Sequence, residues 1–242
     1  MTRTLFLVGL ITALLAPVGV VRADGHIAEP GGVIVFGGSG RTGAKIVDLL
    51  LARGEPVTVF VRPTSGRARL EGRDVSYAVG DAMKVADVEA AIAVAKPRVV
   101  INSIGGRSTQ MGFWDTTQMN MTAAAKKYGA KEIIFHGSVG TGDSAMAYSA
   151  AARARTKDGM AERFRAEEDM KVSGLDYVII RTGIIAPEGT PATGKGYLTE
   201  DRMAMGPVAR ADLARLTVDC IGNSDCLNKT FASVDESINL GR

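Results

Sequence analysis

The chain has 242 residues, 46% of them hydrophobic and 23% charged. That is long for one compact domain and short for two, so one domain with extra loops is expected. The net charge is only +3, with no lysine/arginine block and no aromatics interleaved with basic residues, so nucleic-acid binding has no support. The two histidines, His26 and His136, stand far apart, and no metal-ligand spacing occurs.

The first segment differs in kind from the rest. Arg3 precedes an apolar run from Leu5 to Val21, and Val21-Arg22-Ala23 resembles a small-residue cleavage site. The run is slightly short of the roughly 20 residues a membrane-spanning helix needs. Residues 1–23 are therefore expected to be a signal peptide, with an exported domain, periplasmic or organellar, from residue 30 to 242. An uncleaved anchor, which would be the chain's one contact with a membrane, and a misplaced start codon are the alternatives.

Strand-type and helix-type segments then alternate. Val33–Phe36 is a short apolar run closed by glycines and predicts a buried strand. Gly43, Ile46, Val47 and Leu50 recur at helical spacing, and Gly54 ends that helix. Strands are predicted at Pro56–Val61, Val75–Val79, Arg98–Ile101, Glu132–Phe135, Asp176–Ile180 and Thr230–Val234, with helices at Val85–Ala95, Phe113–Tyr128 and Arg210–Ile221. Ser144–Val172 has a mostly helical pattern, with an interruption expected at Lys157-Asp158-Gly159. Gly183–Tyr197, rich in proline and glycine, reads as a loop over a pocket. Such alternation implies parallel βαβ units in a single Rossmann-type, doubly wound α/β domain, with ligands bound where the strand order reverses. Cys220 and Cys226 flank a turn-prone Gly222-Asn223, so they are either a short-loop disulfide or two thiols at a helix end.

Between the first strand and the first helix lies Gly37-Gly38-Ser39-Gly40-Arg41-Thr42-Gly43, a G-x-x-G-x-x-G pattern. In that setting the first glycine permits a tight turn, the second admits a pyrophosphate and the third lets helix and strand pack closely. The helix N-terminus adds free N–H groups and a positive dipole end. The second strand runs into Arg62, where NAD-selective sites usually place an acid for the ribose 2′-hydroxyl. Arg62 and Arg41 together suit a 2′-phosphate, so NADP(H) is the expected cofactor. Asp81, after the third strand, either reaches the adenine or starts the next helix.

These residues resemble the atypical short-chain dehydrogenase/reductase group, in its NmrA-like and flavin reductase/biliverdin reductase B branch. The likeness also runs through Val57–Arg62, Gly80-Asp81, Glu167–Arg181 and Gly206–Ala214. It implies NADP(H) on the glycine loop, Arg62 and Asp81, with Asn102, Ser103 and Ile104 beside the ribose and Ser138 near the nicotinamide. It also shows departures. No tyrosine is followed four residues on by lysine, since Ala152 stands four after Tyr148. Arg163 takes the place of a helical lysine, and arginine is a poor proton shuttle. Ile184 replaces a loop histidine.

Without a strong acid, such a site suits a flavin-, quinone- or similar conjugated acceptor, for which solvent supplies the proton. Ser138 and Tyr148 are the candidate catalytic residues on a small-molecule substrate. The alternative is a non-enzymatic NADP(H)-binding redox sensor or assembly factor.

Overall fold

The computed structural model describes residues 31–106 and 110–241. The expectations for residues 1–23, and His26, lie outside the described residues. Ten strands and five α-helices follow in chain order among the described residues: β1 (Val33–Phe36), α1 (Gly43–Ala52), β2 (Val57–Val61), β3 (Ser76–Val79), α2 (Val85–Ala95), β4 (Val99–Asn102), α3 (Phe113–Lys127), β5 (Glu132–Ser138), α4 (Ala150–Lys171), β6 (Asp176–Thr182), β7 (Ile184–Ile185), β8 (Tyr197–Thr199), β9 (Pro207–Val208), α5 (Arg210–Asp219) and β10 (Lys229–Val234).

Eight strands form one sheet in the order β3-β2-β1-β4-β5-β6-β10-β8. All neighbours are parallel except β8, which runs antiparallel to β10 at the edge. The chain steps outward from β1 to β3, then returns to lay β4 on the other side of β1. That reversal is the switch point at which doubly wound sheets open a crevice.

The central strands of the sheet are buried on both faces because they are apolar on both, whereas the edge strands β3 and β8 are largely exposed. Val33 and Val35 pack on one side with α1 and α5, through Ile46, Leu50 and Leu213; Ile34 and Phe36 pack on the other with α2, α3 and α4, through Ile92, Met121 and Met170. The same alternation runs through β4, β5 and β6, where Ile101, Ile134 and Val178 face one layer and Val100, Ile133 and Ile179 the other. This explains why the strands read as continuous apolar runs rather than alternating ones.

Two features depart from the sequence reading. The helix expected to break at Lys157-Asp158-Gly159 is continuous across them. Its start is capped by Ser149, whose Oγ accepts from the Ala152 N–H at 3.3 Å. Just beyond Gly159, the Glu162 carboxylate accepts from the N–H groups of Gly112 (2.7 Å) and Trp114 (3.2 Å), closing the N-terminus of α3. Arg163 lies over the Trp114 ring, 3.6 Å from its centroid. These tertiary contacts outweigh the roughly 1 kcal/mol by which glycine disfavours a helix. Second, the segment after β6 is not wholly loop: β7 pairs in parallel with β9, and Tyr197 begins β8.

Cys220 and Cys226 are joined in a disulfide, with Cα atoms 5.4 Å apart. Its loop lies at the amino end of the sheet, where the Gly222 N–H donates to Glu132 Oε2 at 2.9 Å. Among the described residues, no helix is long and apolar enough to cross a membrane.

Candidate cofactor site

A cleft of about 660 Å³ opens at the carboxyl ends of β1, β2 and β4. Its floor is the glycine loop. Gly37 has φ +80°, and a Cβ there would lie 2.6 Å from the Ser103 carbonyl oxygen, so only glycine lets the β1 and β4 exits touch. A Cβ on Gly43 would lie 2.1 Å from the Gly37 oxygen, and one on Gly38 would lie 2.6 Å from a Val59 methyl. Gly38 and Gly43 therefore serve the packing of strand, loop and helix, while Gly37, Ser39, Gly40, Arg41 and Thr42 line the cleft. The Gly40 N–H donates to the Gly37 oxygen at 2.9 Å, folding the loop into a turn. Thr42 precedes α1 without a side-chain hydrogen bond; the Ala44 N–H donates to the Gly40 oxygen at 2.9 Å and the Lys45 N–H to the Thr42 oxygen at 3.0 Å, and the positive dipole end of the helix favours an anion there.

The wall after β2 carries Arg62, whose backbone N–H is held by Ser65 Oγ at 3.2 Å. Phe60, stacked on Phe36 with centroids 4.5 Å apart, lies below it. Asp81 also lines the cleft. Its Oδ1 accepts from the Met83 N–H at 3.0 Å, and its own N–H donates to Asp87 Oδ2 at 2.8 Å. Asp81 thus shapes the turn into α2 while lining the crevice.

On the β4 side, Asn102 is buried and does not face the cleft. Its Nδ2 donates to Gln118 at 2.8 Å, and its Oδ1 accepts from the Ile104 N–H at 3.0 Å. It orients the loop whose Ser103 and Ile104 do line the cleft. Ser103 Oγ is buried with no hydrogen-bond partner among the described residues.

Ser138 and Tyr148 are not among the residues lining this cleft. Ser138 ends β5, and its hydroxyl donates to the Val139 carbonyl at 3.0 Å. The Tyr148 ring packs over Gly140, ahead of α4.

Three further charged residues stand at the site. Arg69, in a short 3-10 turn after β2, and Arg210, at the start of α5, both line the cleft. Arg210 Nη1 donates to the Ala186 carbonyl at 2.5 Å. Burial and the positive charge of Arg41 hold its guanidinium below the usual range, and Glu188 acts the other way. Glu188, in the loop after β7, contacts both Arg41 and Arg69. Arg210 falls within the Gly206–Ala214 passage noted for its resemblance. Nothing local to the sequence marked Arg69 or Glu188.

The described residues contain no group of side chains fit to hold a metal ion. They do fit a dinucleotide. The glycine loop, the residue preceding α1, Ser103 and four arginines all line one crevice. A model of the NAD(P)H-binding family matches residues 37–224. The chain belongs to the NAD(P)H-binding family.

Solved structures agree with that membership. An anaerobillin reductase, ChuY, from Escherichia coli O157:H7 is similar at 26% identity and TM-score 0.74, over 86% of this chain and 98% of that one. ChuY from E. coli strain CFT073 gives 26% identity and TM-score 0.71 with the same coverage. A short-chain dehydrogenase/reductase from Veillonella parvula DSM 2008 in complex with NADP shares the fold at 15% identity and TM-score 0.66, over 85% of this chain and 94% of that one. The chain is thus a nicotinamide-dinucleotide-binding protein of reductase-like fold, and Asn102 and Gly43 shape its cleft from behind.

Proposed function

We propose that the protein uses NADPH to reduce a flavin, quinone or similar conjugated acceptor. One observation carries the choice of NADPH: the cleft is lined by four arginines, Arg41, Arg62, Arg69 and Arg210, and a single carboxylate, Asp81. Arg62 stands at the end of β2, where an acid would select the 2′-hydroxyl of NADH. A dianionic 2′-phosphate among guanidinium groups gains charge-assisted, bidentate hydrogen bonds.

The bound cofactor supplies the hydride, and the protein supplies orientation and exclusion of water. Ile104, Phe113 and Ile185 give the cleft apolar walls against which flat rings can lie. No tyrosine precedes a lysine by four residues, so the chain lacks a Tyr–Lys pair of that spacing to pass a proton, and a conjugated acceptor that takes its proton from solvent fits best. Ser138 would orient the acceptor or the nicotinamide amide by turning its hydroxyl from Val139. Tyr148 would border the acceptor. The likeness to an anaerobillin reductase supports turnover over a sensor role. The Cys220–Cys226 disulfide supports an exported domain, since such bonds persist in oxidising compartments.

The test is a fluorescence titration of the full chain with NADPH and NADH, followed by NADPH oxidation with flavin and quinone acceptors. NADPH should bind at least tenfold tighter than NADH, and Arg62→Ala should erase most of that preference, consistent with about 1.5–3 kcal/mol for a hydrogen bond to a charged group. Equal affinities would overturn the NADPH assignment. Tight NADPH binding without oxidation by any acceptor would favour the redox-sensor reading.

A further inference from the structure

Glu188 sits at the apex of a turn built to hold it in place. The Thr190 N–H donates to the Pro187 carbonyl at 3.2 Å, and Gly189, at φ +91°, takes the third position, where type II turns need a left-handed residue. Both flanks are anchored. On one side the Ala186 N–H donates to the Val208 carbonyl at 3.0 Å, and Ala186 accepts from Arg210. On the other, the N–H groups of Thr193 and Gly194 donate to the buried Asp212 carboxylate at 2.8 and 3.1 Å. From this strap, Glu188 places Oε2 3.1 Å from Arg41 Nε and Oε1 3.5 Å from Arg69 Nη2. One carboxylate thus bridges two of the four arginines of the cleft, and its charge also reaches Arg210.

We propose that Glu188 is a tethered competitor for the cofactor's 2′-phosphate at Arg41 and Arg69, and so sets both the affinity for NADPH and its preference over NADH. The inference rests on the reading that the 2′-phosphate lies among Arg41, Arg62 and Arg69. A carboxylate and a phosphate cannot share these guanidinium groups without repelling each other across a few ångströms. Of the two, the phosphate carries more charge and more acceptor oxygens. The Glu188 and Arg41 side chains are each 56% exposed, so the ion pairs open into water at low cost. Each binding event must break them, and the affinity is reduced by their worth. NADH brings no 2′-phosphate and leaves Glu188 where it is.

The experiment compares the full-length wild type with Glu188→Gln and Glu188→Ala in titrations with NADPH and with NADH at two salt concentrations. Two exposed ion pairs are worth about a three- to tenfold change in affinity. Both variants should bind NADPH tighter by that factor, with NADH changed less than about twofold, and the gain should shrink as salt rises. Unchanged or weaker NADPH binding in the variants overturns the proposal, because Glu188 would then be inert or would be holding the arginines in place for the ligand. Equal tightening of both cofactors overturns the selectivity role. A failure of the underlying NADPH reading shows separately, in the wild type alone, as equal affinity for the two cofactors.

Discussion

Gly40 and Gly43 both approach the carbonyl oxygen of Gly37, but at different distances. A Cβ would stand 3.0 Å from it at Gly40 and 2.1 Å at Gly43. The first contact calls for a shift of a few tenths of an ångström. The second cannot exist without moving the strand exit away from the helix. Gly43→Ala should therefore cost about 1–3 kcal/mol, the usual range for overpacking, whereas Gly40→Ala should leave stability nearly unchanged and act on the cofactor instead, because Gly40 lines the cleft. Urea unfolding of the two variants checks the order, and equal losses would mean that the loop yields as a whole. The placement of Gly37, Gly40 and Arg62 at the cleft was legible because it is set locally: strand, loop and helix follow each other in adjoining βα units. Glu188 and Arg69 were not, since their role exists only once segments more than a hundred residues apart meet over the cleft. Ser103 was legible as a position, but its unpartnered hydroxyl is a property of burial that no sequence pattern shows.

At the scale of elements, the strand–helix alternation was readable because each buried strand is a short apolar run bounded by turn residues. What failed was the break in α4. Gly159 looks like a helix terminator, yet Glu162 is committed to α3 and Arg163 to Trp114, and a second helix packing alongside is not visible from a single segment. The pair β7 and β9 is equally hidden, as two-residue strands carry no periodicity. The disulfide was one of two open readings, and its consequence is also an element-scale matter. It closes a seven-residue loop between α5 and β10, which in the chain-entropy picture is worth about 2 kcal/mol. Reducing it should lower unfolding stability by about that amount. Cofactor affinity should stay unchanged, because the loop lies at the amino end of the sheet, beside Glu132, and the cleft at the other end. A parallel loss of NADPH binding on mild reduction would show that the two ends of α5 communicate.

Across the whole molecule, two titratable groups on β5 pull stability in opposite directions. His136 packs half-buried against α5. The Thr217 hydroxyl gives its proton to the Leu213 carbonyl at 2.7 Å, so its oxygen accepts from His136 Nε2 at 2.8 Å. Burial pushes the imidazole down from 6.5 to about 4. Between those values the unfolded chain binds the extra proton, so stability falls as pH drops through that window. Glu132 behaves in the opposite sense. Burial raises its carboxyl from 4.5 to about 7, against the Gly222 N–H and Arg98, which favour the charged form. Here the folded chain binds the extra proton, so the contribution is intact below about 4.5 and is lost as pH rises through about 7. In the overlap the two slopes oppose each other, and the wild type should show a shallow dependence on pH. Glu132→Gln keeps an acceptor for Gly222 and removes one of the slopes. It should match the wild type near about pH 5, exceed it by up to about 3 kcal/mol near about pH 8, and lose stability steeply on acidification as His136 acts alone. Urea unfolding across that range measures both curves. Parallel curves would mean that Glu132 is solvated in solution and that its ionisation costs the fold nothing.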